Sequence, residues 1–75
     1  MFDFNWTPAR YLSELTPRER EVAELIARGY TNPQIAATLT ITRETTKSHV
    51  SNILSKLGVS SRNDVRQVMA QHHFD

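Results

Sequence analysis

Cysteine is missing from the 75 residues, so neither a disulfide framework nor a thiolate metal site is open to this chain. Glycine is nearly missing as well. Gly29 and Gly58 are the whole supply, which excludes a Gly-rich phosphate loop. No apolar run approaches the roughly 18–20 residues of a membrane span. No basic-apolar-small leader opens the chain, so the expected address is cytoplasmic. No Ser-His-Asp set and no paired carboxylates suggest catalysis, and the chain is not expected to be an enzyme or to hold a cofactor. His72-His73 is the one tempting metal motif, and without a Cys or carboxylate constellation no metal is expected there. So short a chain allows one domain with a small core, which leans on well-capped helices or a partner.

Charge is sparse overall, with a formal net of +1, but it is unevenly placed. Residues 14–24 hold four Glu against two Arg, whereas Arg43, Lys47, Lys56 and Arg62 face Glu44 alone in residues 43–62. A near-neutral chain with a basic segment can meet a polyanion with one face.

Helix signals dominate what is there. Thr16-Pro17-Arg18-Glu19 supplies an N-cap, a Pro at the first helical position and a capping-box Glu. Val22, Leu25 and Ile26 follow at helical spacing, and Gly29 ends the element. Asn32-Pro33 starts a second, shorter helix carrying Ile35, Ala36 and Leu39. Thr42 caps a third helix, and Ser61-Arg62-Asn63-Asp64 opens a fourth with Val65, Val68 and Met69 as its apolar stripe. The predicted fold is all-α: four helices with a short N-terminal extension, residues 1–14, before a domain over 15–75. Phe2, Phe4 and Trp6 alternate with polar residues in that extension, and Thr7-Pro8 is placed to open a short helix with Trp6 and Tyr11 as a staple. Two readings stand open for it, a segment that packs on the domain or joins a dimer contact, and a remnant of an interdomain linker.

Residues 42–58, TRETTKSHVSNILSKLG, are the most informative stretch, because Ser and Thr cost a helix stability. On a helical wheel Thr46, Val50, Ile53, Leu54 and Leu57 fall on one side, the core face. Glu44, Ser48, Ser51 and Ser55 lie opposite. Thr45, His49, Asn52 and Lys56 border that row on one edge and Lys47 on the other. The result is a narrow ridge of short hydroxyl side chains edged by donors. A major groove about 12 Å wide admits one such helix, Ser serves either kind of base edge, and Lys, Asn and His reach phosphate. A surface with no task is more often filled with Glu, Lys, Gln and Arg. A short helix, the tight turn TLTIT at 38–42 and this polar-faced helix together give a helix-turn-helix pattern, with its recognition helix at about 42–57.

Leu15-Thr16-Pro17-Arg18-Glu19 with Val22, Gly29-Tyr30-Thr31-Asn32-Pro33-Gln34-Ile35-Ala36, then Thr45, Lys47, His49, Ile53, Lys56-Leu57-Gly58-Val59 and Ser61-Arg62 occur in that order. In this the chain resembles the LuxR-type (LuxR/FixJ/NarL) DNA-binding domain of bacterial transcription regulators, over residues 15 to about 70. The resemblance implies a scaffold second helix, a third helix in the major groove and a fourth helix as dimer contact. It implies base contacts from Lys47, Ser48 and Ser51. Backbone contacts are implied from Thr31, Asn32, Thr45, His49, Asn52, Lys56, Ser61 and Arg62, and Arg43, a cation of the basic segment, is expected to join them. Free amides at the start of the scaffold helix would favour a phosphate there. The outward face of the fourth helix, Asn63, Gln67, Ala70 and Gln71, is small and polar, which implies a weak homodimer on an inverted repeat of double-stranded DNA.

The family usually carries a sensor or receiver domain on the N-terminal side. Three departures from its pattern stand out. Thr46 replaces the usual Val and needs a carbonyl one turn back for its hydroxyl. Ser51 stands where many members carry a long basic residue. Thr40 occupies a turn position where Gly is common. A different class of function also fits, a protein-interaction module that dimerises with a full-length regulator and blocks it.

Overall fold

The computed structural model describes residues 13–72, with the side chain of His72 outside the description. The reading of Thr7-Pro8, Trp6 and Tyr11 as a short stapled helix therefore lies outside the described residues, as does His73. Four helices follow one another: α1 (Pro17–Ala27), α2 (Asn32–Leu39), α3 (Arg43–Leu57) and α4 (Arg62–His72). Among the described residues there is no strand, and no helix is long and apolar enough to cross a membrane.

The starts are built from hydroxyl caps. Thr16 Oγ1 accepts the Glu19 N–H at 3.1 Å, and the Thr16 N–H donates to Glu19 Oε1 at 2.9 Å, so the expected capping box forms. A second box starts α2: the Gln34 N–H donates to Thr31 Oγ1 at 3.3 Å and the Thr31 N–H to Gln34 Oε1 at 2.9 Å. Its cap is thus Thr31, one residue before the Asn32-Pro33 start expected from sequence. Thr42 Oγ1 accepts the Thr45 N–H at 3.0 Å to start α3, and Ser61 Oγ accepts the Asp64 N–H at 3.2 Å to start α4.

Three helices end in one way. After each, a residue in the left-handed region turns the chain, and the next N–H closes on a carbonyl five residues back: Tyr30 on Leu25 at 3.0 Å, Ile41 on Ala36 at 3.0 Å and Val59 on Leu54 at 3.0 Å. The turning residues are Gly29 (φ 89°), Thr40 (φ 58°) and Gly58 (φ 69°). Only glycine adopts that conformation without steric cost, and a β-branched residue there is strained. The departure at Thr40 is therefore a real one: the turn keeps its geometry and carries the strain.

The inward faces meet in one core. Val22, Ala23, Leu25 and Ile26 of α1 pack with Ile35 of α2, Ile53 and Leu57 of α3, and Val65, Val68 and Met69 of α4, closed at one end by Leu15. Helix α1 lies against both α3 and α4, and α2 against α3. The expected core face of α3 is the observed one: Thr46, Ile53 and Leu57 are buried, while Val50 and Leu54 are half-buried against the cluster. Thr46 is fully buried and its Oγ1 donates to the Thr42 carbonyl at 3.0 Å, which satisfies the hydroxyl that replaces an apolar residue.

Candidate nucleic-acid interface

With its core face fixed, α3 turns a defined set of side chains outward. Arg43, Glu44, Thr45, Lys47, Ser48, Ser51, Asn52 and Ser55 are exposed. His49 and Lys56 are half-buried at the rim. The hydroxyl ridge inferred from the wheel is thus continuous along α3. Its first turn has an internal order. Thr42 Oγ1, already accepting from the Thr45 N–H, donates its own proton to Thr45 Oγ1 at 2.9 Å. His49 Nδ1 is enclosed and has no hydrogen-bond partner among the described residues, which leaves Nε2 as the ring nitrogen able to meet a ligand.

Two cations expected on this surface are engaged inside the molecule. Lys56 Nζ lies 2.8 Å from Glu19 Oε1, and the Glu19 side chain is only 5% exposed against 35% for Lys56. Burial by itself pushes the Glu19 carboxyl up. The Lys56 ammonium and the Thr16 cap outweigh it and hold the group below its ordinary value. Arg62, half-buried at the start of α4, donates from Nη1 to Asn32 Oδ1 at 2.7 Å and from Nη2 to the Tyr30 carbonyl. Burial lowers its proton affinity, yet a guanidinium remains charged across the whole working range.

The start of α2 is less open to an anion than its sequence implies. Its capping box consumes the N–H groups of Thr31 and Gln34, and Pro33 has none. The Asn32 main-chain N–H and the Asn32 side chain are what remain. On α4, Asn63, Gln67, Ala70 and Gln71 are exposed together, while Val65, Val68 and Met69 are buried. Among the described residues no three metal-ligating side chains come together.

The helix-turn-helix geometry has a counterpart among known proteins. Residues 13–69 match the model of the family described as bacterial regulatory proteins, luxR family. The chain belongs to that family. It is accordingly a LuxR-type DNA-binding domain of transcription regulation. It is 51% identical over 60 residues to the response regulator protein VraR of Staphylococcus aureus strain Mu3. The VraR proteins of Staphylococcus saprophyticus and Staphylococcus epidermidis match equally, at 51% over 60 residues. The match covers 80% of this chain and 29% of each relative, so the chain spans less than a third of their length.

Sequence reasoning missed the partners of Lys56 and Arg62, which lie 37 and 30 residues away along the chain. It also passed over the Thr31–Gln34 box, for which Thr-x-x-Gln was a sufficient signal.

Proposed function

We propose that this domain reads a specific DNA sequence by laying α3 in the major groove, as a weak dimer paired through α4 on an inverted repeat. The observation that carries the reading is the exposed ridge Ser48–Ser51–Ser55, edged by Lys47 and Asn52, on a helix whose opposite face is core. Lys47, Ser48 and Ser51 are the base-reading residues. Arg43, Thr45, His49 and Asn52, with Thr31, Asn32 and Ser61, hold the sugar-phosphate backbone. Lys56 and Arg62 serve that surface from behind, through their internal bonds. The exposed Asn63, Gln67, Ala70 and Gln71 of α4 are the dimer contact. The signal comes from a receiver or sensor domain on the N-terminal side. The relatives' description as response regulators and the 29% share of their length support a further domain of that kind. The address is the bacterial cytoplasm, where the DNA is.

A salt titration on a site selected from a random DNA pool tests this. Each phosphate neutralised adds about −0.9 to the slope of log K against log salt. With Arg43 and Lys47 as the direct cations, the slope is about −1.8 for one chain and about −3.6 for a dimer. Direct contacts from Lys56 and Arg62 as well would double these to about −3.6 and about −7. Equal affinity for a half-site and a full palindrome would remove the dimer.

One observation favours the rival reading of a module that pairs with a full-length regulator and blocks it. Glu19 neutralises Lys56, so few free cations face outward from α3. Failure to bind any DNA at about 50 mM salt, where phosphate attraction is strong, would decide for that module.

A further inference from the structure

The junction between α4 and the start of α2 is asymmetric. Arg62 is a donor-only side chain, so the Asn32 atom 2.7 Å from its Nη1 is the amide oxygen. With Oδ1 turned toward Arg62, the Asn32 NH2 group points the other way. That group has no partner among the described residues and is not enclosed. It stands beside the Asn32 N–H, the main-chain donor that the Thr31–Gln34 box leaves over. The second arm of the guanidinium holds the Tyr30 carbonyl, immediately before the Thr31 cap. One side chain of α4 thereby fixes both the backbone entering α2 and the orientation of the donor at its first residue.

We infer that Arg62 is a positioning residue for DNA binding: it acts through Asn32, orienting the Asn32 amide to donate to a backbone phosphate, and does not itself touch the phosphate. This rests on the DNA-binding reading above. It makes phosphate recognition by α2 depend on a residue of the dimer helix. The Arg62 fork is matched to its two acceptors, a carbonyl and an amide oxygen, in a way a single ammonium is not.

The test is equilibrium binding of the full chain to a selected site across a salt series, comparing Arg62→Gln, Asn32→Ala and the double variant, each first shown to be folded. The expected result is a loss on the order of tenfold for each single variant, the scale of one charged hydrogen bond. The double variant should bind no more weakly than either single one, and Arg62→Gln should keep the parent's salt slope. A destabilised but otherwise neutral Arg62 variant would keep the slope as well but would show no such coupling to Asn32. A slope shallower by about 0.9 per chain, with losses that multiply in the double variant, would make Arg62 a phosphate contact and overturn the inference. Should Arg62→Gln not fold, Arg62→Lys takes its place, since it keeps the charge but not the fork: a loss on the order of tenfold at the parent's slope that does not multiply with Asn32→Ala upholds the inference, and parent-level affinity overturns it. A parent chain that binds no DNA overturns the DNA-binding reading itself, a distinct result.

Discussion

Lys47 and Lys56 stand on one helix, nine residues apart, and live in opposite circumstances. Near the start of α3 the side chains are short, exposed and polar, and Lys47 reaches outward past them. At the end of α3 Lys56 is drawn back onto a buried carboxylate of α1. The same residue type is thus a candidate ligand at one end and a fastening at the other. What separates them is the neighbour across the fold: Glu19 sits under the last turn of α3, and among the described residues no carboxylate forms an ion pair with Lys47. A count of cations on a helix therefore overstates its reach toward DNA, because a paired charge has already spent its attraction.

The two lysines differ in this way only while α3 keeps Ile53 inward, and Ile53 tests that most severely. It is fully buried between the two ends, so Ile53→Ala should cost about 2–5 kcal/mol and unfold much of the population of so small a domain. A thermal melt reads this directly, and a stable Ile53→Ala would mean the faces are reversed. The two lysines come next. Lys56→Ala leaves the Glu19 carboxylate buried without its cation and should cost about 1–3 kcal/mol of folding stability, with the DNA salt slope unchanged. Lys47→Ala should leave the melt within about 0.5 kcal/mol of the parent and weaken specific DNA binding by about 1–3 kcal/mol. Interchanged results would abolish the contrast between the ends.

Acid sharpens the same contrast. The Glu19 carboxyl lies below its unfolded value in the folded chain. Its contribution is therefore whole above the ordinary carboxylate value of about 4.3, and is lost as pH falls through the lower folded value. The stability gap between the parent and Glu19→Gln should be constant near neutrality and close in that acid range. Denaturant melts at a series of pH values measure it, and a gap independent of pH would show that the charge of Glu19 contributes nothing. The smallest effect is a gain. Thr40→Gly relieves the left-handed strain that Gly29 and Gly58 avoid, and should add about 1 kcal/mol, or roughly 4–8 °C in a domain of this size. An unchanged melting temperature would mean that the Thr40 turn is not strained.

Most of the fold was legible because its signals are local. Thr16 with Glu19, Thr42 with its following turn, and the glycines at 29 and 58 each declare a helix end within four residues of chain. The core faces follow from spacing, and the helix expected at about 42–57 is observed at Arg43–Leu57 with Thr42 as its cap. Thr46 shows how far such reasoning reaches, since an internal hydroxyl at a core position has one nearby acceptor, the carbonyl four residues back. The exposed ridge of the candidate site was legible on the same grounds. Lys56 and Arg62 were not, because their roles are set by Glu19 and by Asn32 and Tyr30, which only the folded chain brings near. Nor was the reduced anion site at α2 evident from Asn32-Pro33 alone, for it required knowing that Gln34 folds back on Thr31.

Glu19 Oε1 has a consequence beyond charge. A single oxygen accepts both the Thr16 N–H and the Lys56 ammonium, so the cap that begins α1 and the strap that holds the end of α3 share one atom. A helix start normally frays by itself, at little cost to the rest of a domain. Here fraying at Thr16 carries the carboxylate away from Lys56, and release of the last turn of α3 leaves the cap with an unpaired buried charge. Two termini far apart in sequence are thereby made to open together, and their amides should exchange with solvent as one cooperative unit.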